Sequence, residues 1–232
     1  LSQDKRRVRI LATIGVPLAL AFHGGVGALF AVVGAKPYWH TSLMPVLFLT
    51  GALTSGGALL TFVVAFFWKK VKEQKELAAL LAKIVLGLLC FDLILELVEI
   101  TIPLWGNPEY HTESLKLVLF GHYWYVFWVF HLLLGSVIPL MLLCLRRTDV
   151  KSIGAAAFLI ASTFLSVRLN IVIPAQVVPE LKGLESAFIE SHLMFSYLPS
   201  FHEWRLLFFI AAFGAALFYL GWKVLPLKPI KG

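Results

Sequence analysis

The 232-residue chain is 59% hydrophobic and only 14% charged, with a formal net charge of +7. Its mean hydropathy of +0.86 lies outside the range of ordinary soluble domains and predicts an integral membrane protein. The basic residues cluster between apolar segments and form no continuous basic surface, so no nucleic-acid partner is expected.

Six apolar segments are long enough to cross a bilayer as helices. They cover residues 9–34, 42–68, 77–103, 123–145, 152–174 and 204–225. A lone helix satisfies its own backbone hydrogen bonds in lipid, whereas a lone strand cannot. The sequence therefore predicts an all-α polytopic bundle. We divide it into residues 1–70 with helices one and two, 71–203 with helices three to five, and 204–232 with the last helix and tail.

Lysine and arginine residues mark one side of the bundle. If the six helices alternate in direction, the residues on that side are Lys5, Arg6, Arg7, Arg9, Lys69, Lys70, Lys72, Lys75, Arg146, Arg147, Lys151, Lys223, Lys228 and Lys231. The positive-inside rule then predicts that both termini lie in the cytoplasm. The opposite side carries the irregular loops, in which residues 184–198 could form an amphipathic helix at the interface.

The first two helices contain small residues at close-packing spacing. These are Gly24, Gly25, Gly27, Gly51, Ser55, Gly56 and Gly57. They predict a tightly packed helical hairpin. His23 directly precedes Gly24, and an imidazole beside glycines leaves room for a ligand such as a quinol headgroup. A satisfied core histidine and a haem ligand are the alternatives, although no second histidine has the spacing of a paired haem site.

The third helix carries Asp92, Glu96 and Glu99 at positions i, i+4 and i+7, which places all three carboxylates on one face. Carboxylates at membrane depth normally face a protein interior or a wet cavity. His131 on the fourth helix is expected at a similar depth, as are the two polar residues of the fifth, Arg168 and Asn170.

We expect Arg168 to pair with the carboxylate face of helix three. Two interpretations of this polar cluster stay open, a structural ion pair and a proton path, and both can hold together.

Other chemical motifs are missing from the sequence. The remaining histidines form no metal-binding spacing, and Cys90 and Cys144 have no CxxC context, so neither a metal site nor an iron–sulfur cluster is expected. No residue is assigned a catalytic role. Ser200 and Glu203 have the spacing of a capping box before the last helix.

Several sequence blocks, taken in order, resemble the NrfD/PsrC family of polysulfide reductase membrane subunits, in its HybB/DsrP-like branch. The blocks are His23-Gly-Gly-Val-Gly, Lys36-Pro-Tyr-Trp, Leu43-Met-Pro, Gly51-Ala-Leu-Thr-Ser-Gly-Gly, Arg168-Leu-Asn-Ile-Val-Ile-Pro and Tyr197-Leu-Pro-Ser with Glu203-Trp204. Members of that branch have ten transmembrane helices. The resemblance, together with a first residue that is not Met, leads us to expect that this chain supplies the last six.

The resemblance implies a haem-free subunit in a prokaryotic cytoplasmic membrane, exchanging electrons between quinone, with menaquinone expected, and an iron–sulfur protein on the outer face. That partner would be ferredoxin-like and would dock on the loops at 35–42 and 175–203. Other membrane or cytochrome subunits and anionic lipids are further expected partners. His23 would belong to the quinone site, the buried carboxylates would transfer protons, and the terminal couple could involve sulfur or sulfite.

Three other functions remain open at this point. A secondary transporter would use the same carboxylates for substrate flux without a redox partner. A structural anchor would tolerate neutral replacements of Asp92, Glu96 and His23. A haem cytochrome would give a redox difference spectrum.

Overall fold

The computed structural model describes residues 5–68, 71–106, 109–146, 148–179, 183 and 197–224, and all regular structure within them is helical. The helices are α1 (Lys5–Ala31), α2 (Met44–Phe67), α3 (Val71–Gly106), α4 (Glu109–Leu119), α5 (Val126–Leu145), α6 (Val150–Val177) and α7 (Phe201–Val224). The predicted all-α architecture is confirmed.

Six of the helices in the described residues are long and apolar enough to cross a membrane, and each overlaps one predicted span. The chain is therefore a multi-pass integral membrane protein. The shorter α4 was not predicted, because its segment was interpreted as a polar loop. Residues 184–196, which hold most of the predicted interfacial helix, lie outside the described residues, and Tyr197 and Leu198 are not helical.

Within residues 1–195, α2 is the central helix and packs against α1, α3 and α6, while α6 also packs against α5. One apolar cluster joins α2, α3 and α6 through Ala58, Val85 and Ile153. A second cluster is built around Met44 and Leu115. The space between the helices of this bundle is therefore mostly apolar, which makes its polar residues conspicuous.

Close approach of helices depends on two glycines in particular. A Cβ atom at Gly27 of α1 would lie 2.6 Å from the carbonyl oxygen of Met44, and one at Gly51 of α2 would lie 2.6 Å from Cζ of Phe164. Gly24 and Gly25, by contrast, have no neighbouring atom within 4 Å of such a Cβ. The predicted hairpin packing is thus correct for Gly27 only, and the glycine at position 51 serves α6.

The loop at residues 32–43, called the first loop below, folds inward onto α6. Tyr38 and Trp39 are both 8% exposed, so these two side chains face the bundle, while docking of a partner on residues 35–42 stays a prediction. The indole Nε1 of Trp39 donates to the carbonyl oxygen of Ile171 at 2.7 Å, and the Tyr38 hydroxyl donates to that of Asn170 at 3.4 Å. Burial raises the pKa of Tyr38, so the hydroxyl keeps its proton as a donor.

Pro174 explains why the carbonyl of Asn170 accepts a bond from a loop. A helix residue normally donates its N–H to the carbonyl four positions earlier, and proline has no N–H. Asn170 lies four positions before Pro174, which is inside α6. The Tyr38 hydroxyl therefore bonds a carbonyl that the helix itself leaves unpaired.

Side chains also define the ends of helices. Asp149 caps α6 by accepting from the backbone N–H of Lys151 and Ser152 at 3.3 and 3.2 Å. A further bond from the Ser152 hydroxyl is the main reason that the pKa of Asp149 is lowered. In the separate unit of residues 196–232, the predicted capping box is confirmed, since the backbone N–H of Ser200 donates to Glu203 at 2.6 Å.

Candidate functional site

A small cavity of about 60 Å³ lies within the helices of residues 1–195 and gathers the predicted polar residues. Its lining includes all six of them: Asp92, Glu96, Glu99, His131, Arg168 and Asn170. The shared face predicted from the i, i+4, i+7 spacing on α3 is therefore directed at one space. We call this space the polar cavity.

Each carboxylate of α3 meets a polar group from a different element. Asp92 Oδ1 accepts from the Thr50 hydroxyl of α2 at 2.7 Å. Glu99 Oε2 is 3.5 Å from the Thr41 hydroxyl of the first loop. Asp92 thus links α3 to α2, and Glu99 links α3 to the first loop.

The strongest contact joins Glu96 and His131, whose Oε2 and Nε2 atoms are 2.6 Å apart. Because a carboxylate only accepts, the histidine must donate from Nε2, either as a neutral tautomer or as an imidazolium. His131 is 7% exposed, so the imidazole is shielded from its surroundings, whereas the Glu96 side chain is 26% exposed. Such a pair can exchange a proton between two side chains without a large movement.

An unusual helix geometry positions His131. The first twelve residues of α5, Val126–Val137, are π-helical, with backbone bonds of the i→i+5 type. The Ser136 hydroxyl follows the same spacing and donates to the carbonyl oxygen of His131 at 3.1 Å. At Gly135, a Cβ atom would lie 2.6 Å from Thr163 Oγ1 of α6. The wide turn and the missing side chain together bring the His131 segment against α6.

Arg168 does not form the expected contact ion pair. Its guanidinium carbon lies 3.9 Å from the ring centroid of Phe48 and 5.3 Å from that of Phe164. No carboxylate of the described residues is within 4.0 Å of it, although Asp92 is near enough to attract it electrostatically. Stacking on aromatic faces stabilises a guanidinium that has been removed from water, so the rings take the place that we assigned to a carboxylate.

Asn170 is the predicted member of the cavity whose side chain has no partner in the described residues. Only 6% of this residue is exposed, and neither its side-chain oxygen nor its side-chain nitrogen has a hydrogen-bond partner in the described part of the chain. Glu99 Oε1 is also buried without a partner there. Buried polar atoms are usually paired, so these three atoms call for an explanation.

His23 stands apart from the polar cavity and does not line it. It is half-buried on α1, with Nδ1 at 3.0 Å from the carbonyl oxygen of Ala19 and the ring edge-on to Phe22. The neighbouring Gly24 and Gly25 leave open space beside it. The predicted site residues therefore fall into two groups, with His23 alone in one of them.

Sequence reasoning missed Tyr38, which lines the cavity, and also Thr41 and Thr50, which contact two of the carboxylates that line it. Threonines inside transmembrane helices commonly bond their own backbone, as Thr50 also does to Val46 at 3.0 Å, so this residue type gave no signal.

Comparison with known proteins places these features in a family. The family model described as polysulphide reductase NrfD matches residues 1–180. A selenate reductase subunit of Mesobacillus selenatarsenatis is 35% identical over 203 residues, covering 87% of this chain and 47% of that protein.

A second relative is the Hdr-like menaquinol oxidoreductase integral membrane subunit of Archaeoglobus fulgidus. It is 30% identical over 239 residues, covering 97% of this chain and 59% of that protein. The chain thus spans about half the length of the curated relatives that it matches. The match to the family model covers most of the sequence, and the chain belongs to the NrfD polysulphide reductase family.

Proposed function

We propose that this chain is a membrane subunit of a respiratory oxidoreductase complex that exchanges electrons between the quinone pool and an iron–sulfur subunit. Family membership supports the proposal, as do two relatives that are named as a reductase subunit and a menaquinol oxidoreductase subunit. The name of the second relative favours menaquinone as the quinone.

His23 is our candidate for the quinone-binding residue, and its geometry supports this role. Because Nδ1 lies at hydrogen-bond distance from the Ala19 carbonyl, a proton on Nδ1 leaves the lone pair of Nε2 available. The absence of side chains at Gly24 and Gly25 leaves room for a flat ring beside the imidazole. This combination of an acceptor nitrogen and adjacent space is the observation that carries the proposal.

A bound quinol supplies two electrons and two protons. In this role, His23 Nε2 would accept a hydroxyl proton while Nδ1 stays bonded to the helix, so the ring keeps its orientation during the transfer. The bond to Ala19 would also stabilise the imidazolium that results, because a carbonyl at i−4 accepts a stronger bond from a charged donor.

The polar cavity is our candidate for proton movement through the same subunit. The Glu96–His131 pair can hold a proton at either residue, and Asp92 lies on the same face of α3, one turn from Glu96. Thr50 can donate to Asp92 when the carboxylate is charged. These groups support a route by which a proton crosses part of the bundle without entering lipid.

The proposal extends to location and partners. The basic residues at one end of the spans support a cytoplasmic position for both termini, in a prokaryotic cytoplasmic membrane, with anionic lipid at that surface. A ferredoxin-like iron–sulfur subunit would then bind the opposite surface, alongside other membrane or cytochrome subunits. Sulfur or sulfite as the terminal couple remains a prediction of the family resemblance, and one relative is named for selenate.

Titration of the intact complex with a fluorescent hydroxyquinoline N-oxide, a quinol analogue, tests the assignment of His23. We expect saturable quenching in the wild type and its loss in His23→Ala. His40→Ala is the matched control, because its Nδ1 also lies at hydrogen-bond distance from a helix carbonyl, that of Ala31 at 2.7 Å.

Binding retained in His23→Ala would move the quinone site to another part of the complex. Absence of binding in the wild type would contradict the quinol-linked function and favour an anchor or a transporter. A loss of binding in His40→Ala similar to that in His23→Ala would show that the effect is not specific to the site on α1.

A further inference from the structure

The unpaired atoms of the polar cavity define what it can hold. Glu99 Oε1 and Asn170 Oδ1 are acceptors, whereas Asn170 Nδ2 is a donor, and none of the three has a partner in the described residues. The guanidinium of Arg168 adds further donors at the same lining. Leaving such groups unpaired away from water is unfavourable, so a ligand that pairs them is strongly favoured.

Size and polarity together select the ligand. The cavity of about 60 Å³ has room for at least two water molecules, since one needs about 10–15 Å³ of such space, and it is too small for a quinone ring system. A metal cation would face the guanidinium and the amide donor, and an anion would face three carboxylates. Water both donates and accepts, and is therefore the one small ligand that satisfies every unpaired atom.

We infer that the polar cavity binds ordered water and that Asn170 is its positioning residue, linking Glu99 to Asp92. A proton route from Glu99 to Asp92 through this water rests on the proposed proton-transfer role of the cavity, whereas the binding of water does not. Asp92 and Glu99 are seven residues apart on α3, or about 10 Å along the helix. Two waters in a hydrogen-bonded line, anchored by the Asn170 amide, span most of that distance.

The proton balance of this route is simple. A proton on Glu99 passes to the adjacent water, while that water chain gives a proton to the Asp92 carboxylate. Glu99 ends ionised, Asp92 ends neutral and the waters are unchanged, so no oxidant or further reactant is needed. Thr50 accommodates both states of Asp92, because its hydroxyl can donate to Asp92 at 2.7 Å or to the carbonyl of Val46 at 3.0 Å.

Radiolytic labelling of the intact complex tests the water site directly, because X-ray pulses create hydroxyl radicals at bound water. Met44 is 1% exposed and lines the cavity, so it should be oxidised only if water is inside. A methionine-containing peptide added in solution normalises the radical dose, because Met141 lies within the membrane-spanning helix α5. We expect oxidation of Met44 in the wild type, its fall to background in Asn170→Leu, and its retention in Asn170→Ser, which keeps a hydroxyl.

Turnover gives the second readout. Asn170→Leu should slow quinol-dependent turnover about tenfold and change its solvent isotope effect, whereas Asn170→Ser should restore most of the rate. Binding of the hydroxyquinoline N-oxide should be unchanged in both variants, because the cavity does not include His23.

Absence of Met44 oxidation in a wild-type sample whose added peptide is oxidised would overturn the water site, whatever the variants do. Oxidation of Met44 that persists in Asn170→Leu would remove Asn170 from the positioning role. If the wild type oxidises Met44 but does not bind the quinol analogue, the water site stands and the quinol-linked function fails. The two proposals are therefore separable in one set of samples.

Discussion

The two groups of candidate residues differ in how the protein surrounds them. His23 lies on a helix whose neighbouring glycines meet nothing within 4 Å, whereas the carboxylates of α3 meet groups from α2, α5 and the first loop. Both groups drew attention in the sequence for the same reason, a titratable side chain within an apolar span. The structure shows that only the second is an enclosed polar site within residues 1–195.

The difference indicates which kind of ligand each region can bind. An open face beside an imidazole suits a large flat molecule that arrives from lipid or lies between protein elements. An enclosed cavity of about 60 Å³ suits protons and water, because nothing larger fits between its walls. Three substitutions with matched controls test this contrast.

The largest effect is expected at Gly27, where α1 closely approaches the start of α2. Gly27→Ala should lower the stability of the bundle by about 3 kcal/mol, since its Cβ would lie 2.6 Å from backbone atoms of Met44 and Pro45, which cannot rotate away. Gly25→Ala, two residues earlier, should be neutral in assembly. Thermal inactivation of the purified complex measures both, and equal melting of the two variants would contradict the close approach at Gly27.

A smaller loss, confined to activity, is expected inside the cavity. Glu96→Gln should slow quinol-dependent turnover about 100-fold without preventing assembly, because glutamine keeps a hydrogen bond to His131 but cannot carry the proton. Glu76→Gln, on the exposed start of the same helix, is the control and should behave as the wild type. Unchanged turnover in Glu96→Gln would remove this pair from the proton route.

The smallest effect is expected at Thr50. Thr50→Val keeps the side-chain shape but removes the donor to Asp92, and should shift the pH profile of turnover by an amount equivalent to about 1 kcal/mol. Thr54→Val removes only a bond to the backbone carbonyl of Thr50 at 2.9 Å and serves as control. Matching pH profiles of these variants and the wild type would show that Thr50 does not tune Asp92.

Much of the fold could be predicted because apolar length and helical periodicity are local properties of the sequence. The face shared by Asp92, Glu96 and Glu99 followed from spacing alone, and the cavity contains all three. The orientation of His131 could not follow in the same way, because the π-helical start of α5 breaks the 3.6-residue period on which such reasoning depends. The sequence therefore indicated that His131 lies at a similar depth in the membrane to Glu96, but not that the two side chains face each other.

The remaining errors concern partners that are distant in sequence. Arg168 was expected to seek a carboxylate, but the nearest attractive surface in the fold is the ring of Phe48, which no local pattern indicates. The contact of the aromatic first loop with α6 was not predicted, because the carbonyl that Pro174 leaves without a helix donor, that of Asn170, is distant in sequence from its partner Tyr38. Both outcomes depend on which elements become neighbours in the fold, and residue spacing in a single sequence does not indicate that.

The buried position of Trp39 gives the protein its own optical reporter. Among the tryptophans of residues 1–195, Trp39 is 8% exposed and the other four are 41–90% exposed. Its indole is held at 2.7 Å to the carbonyl of Ile171, one residue beyond Asn170. The emission that Trp39→Phe removes should therefore report on the closed loop beside the polar cavity, and would redden as soon as that loop lifts from α6.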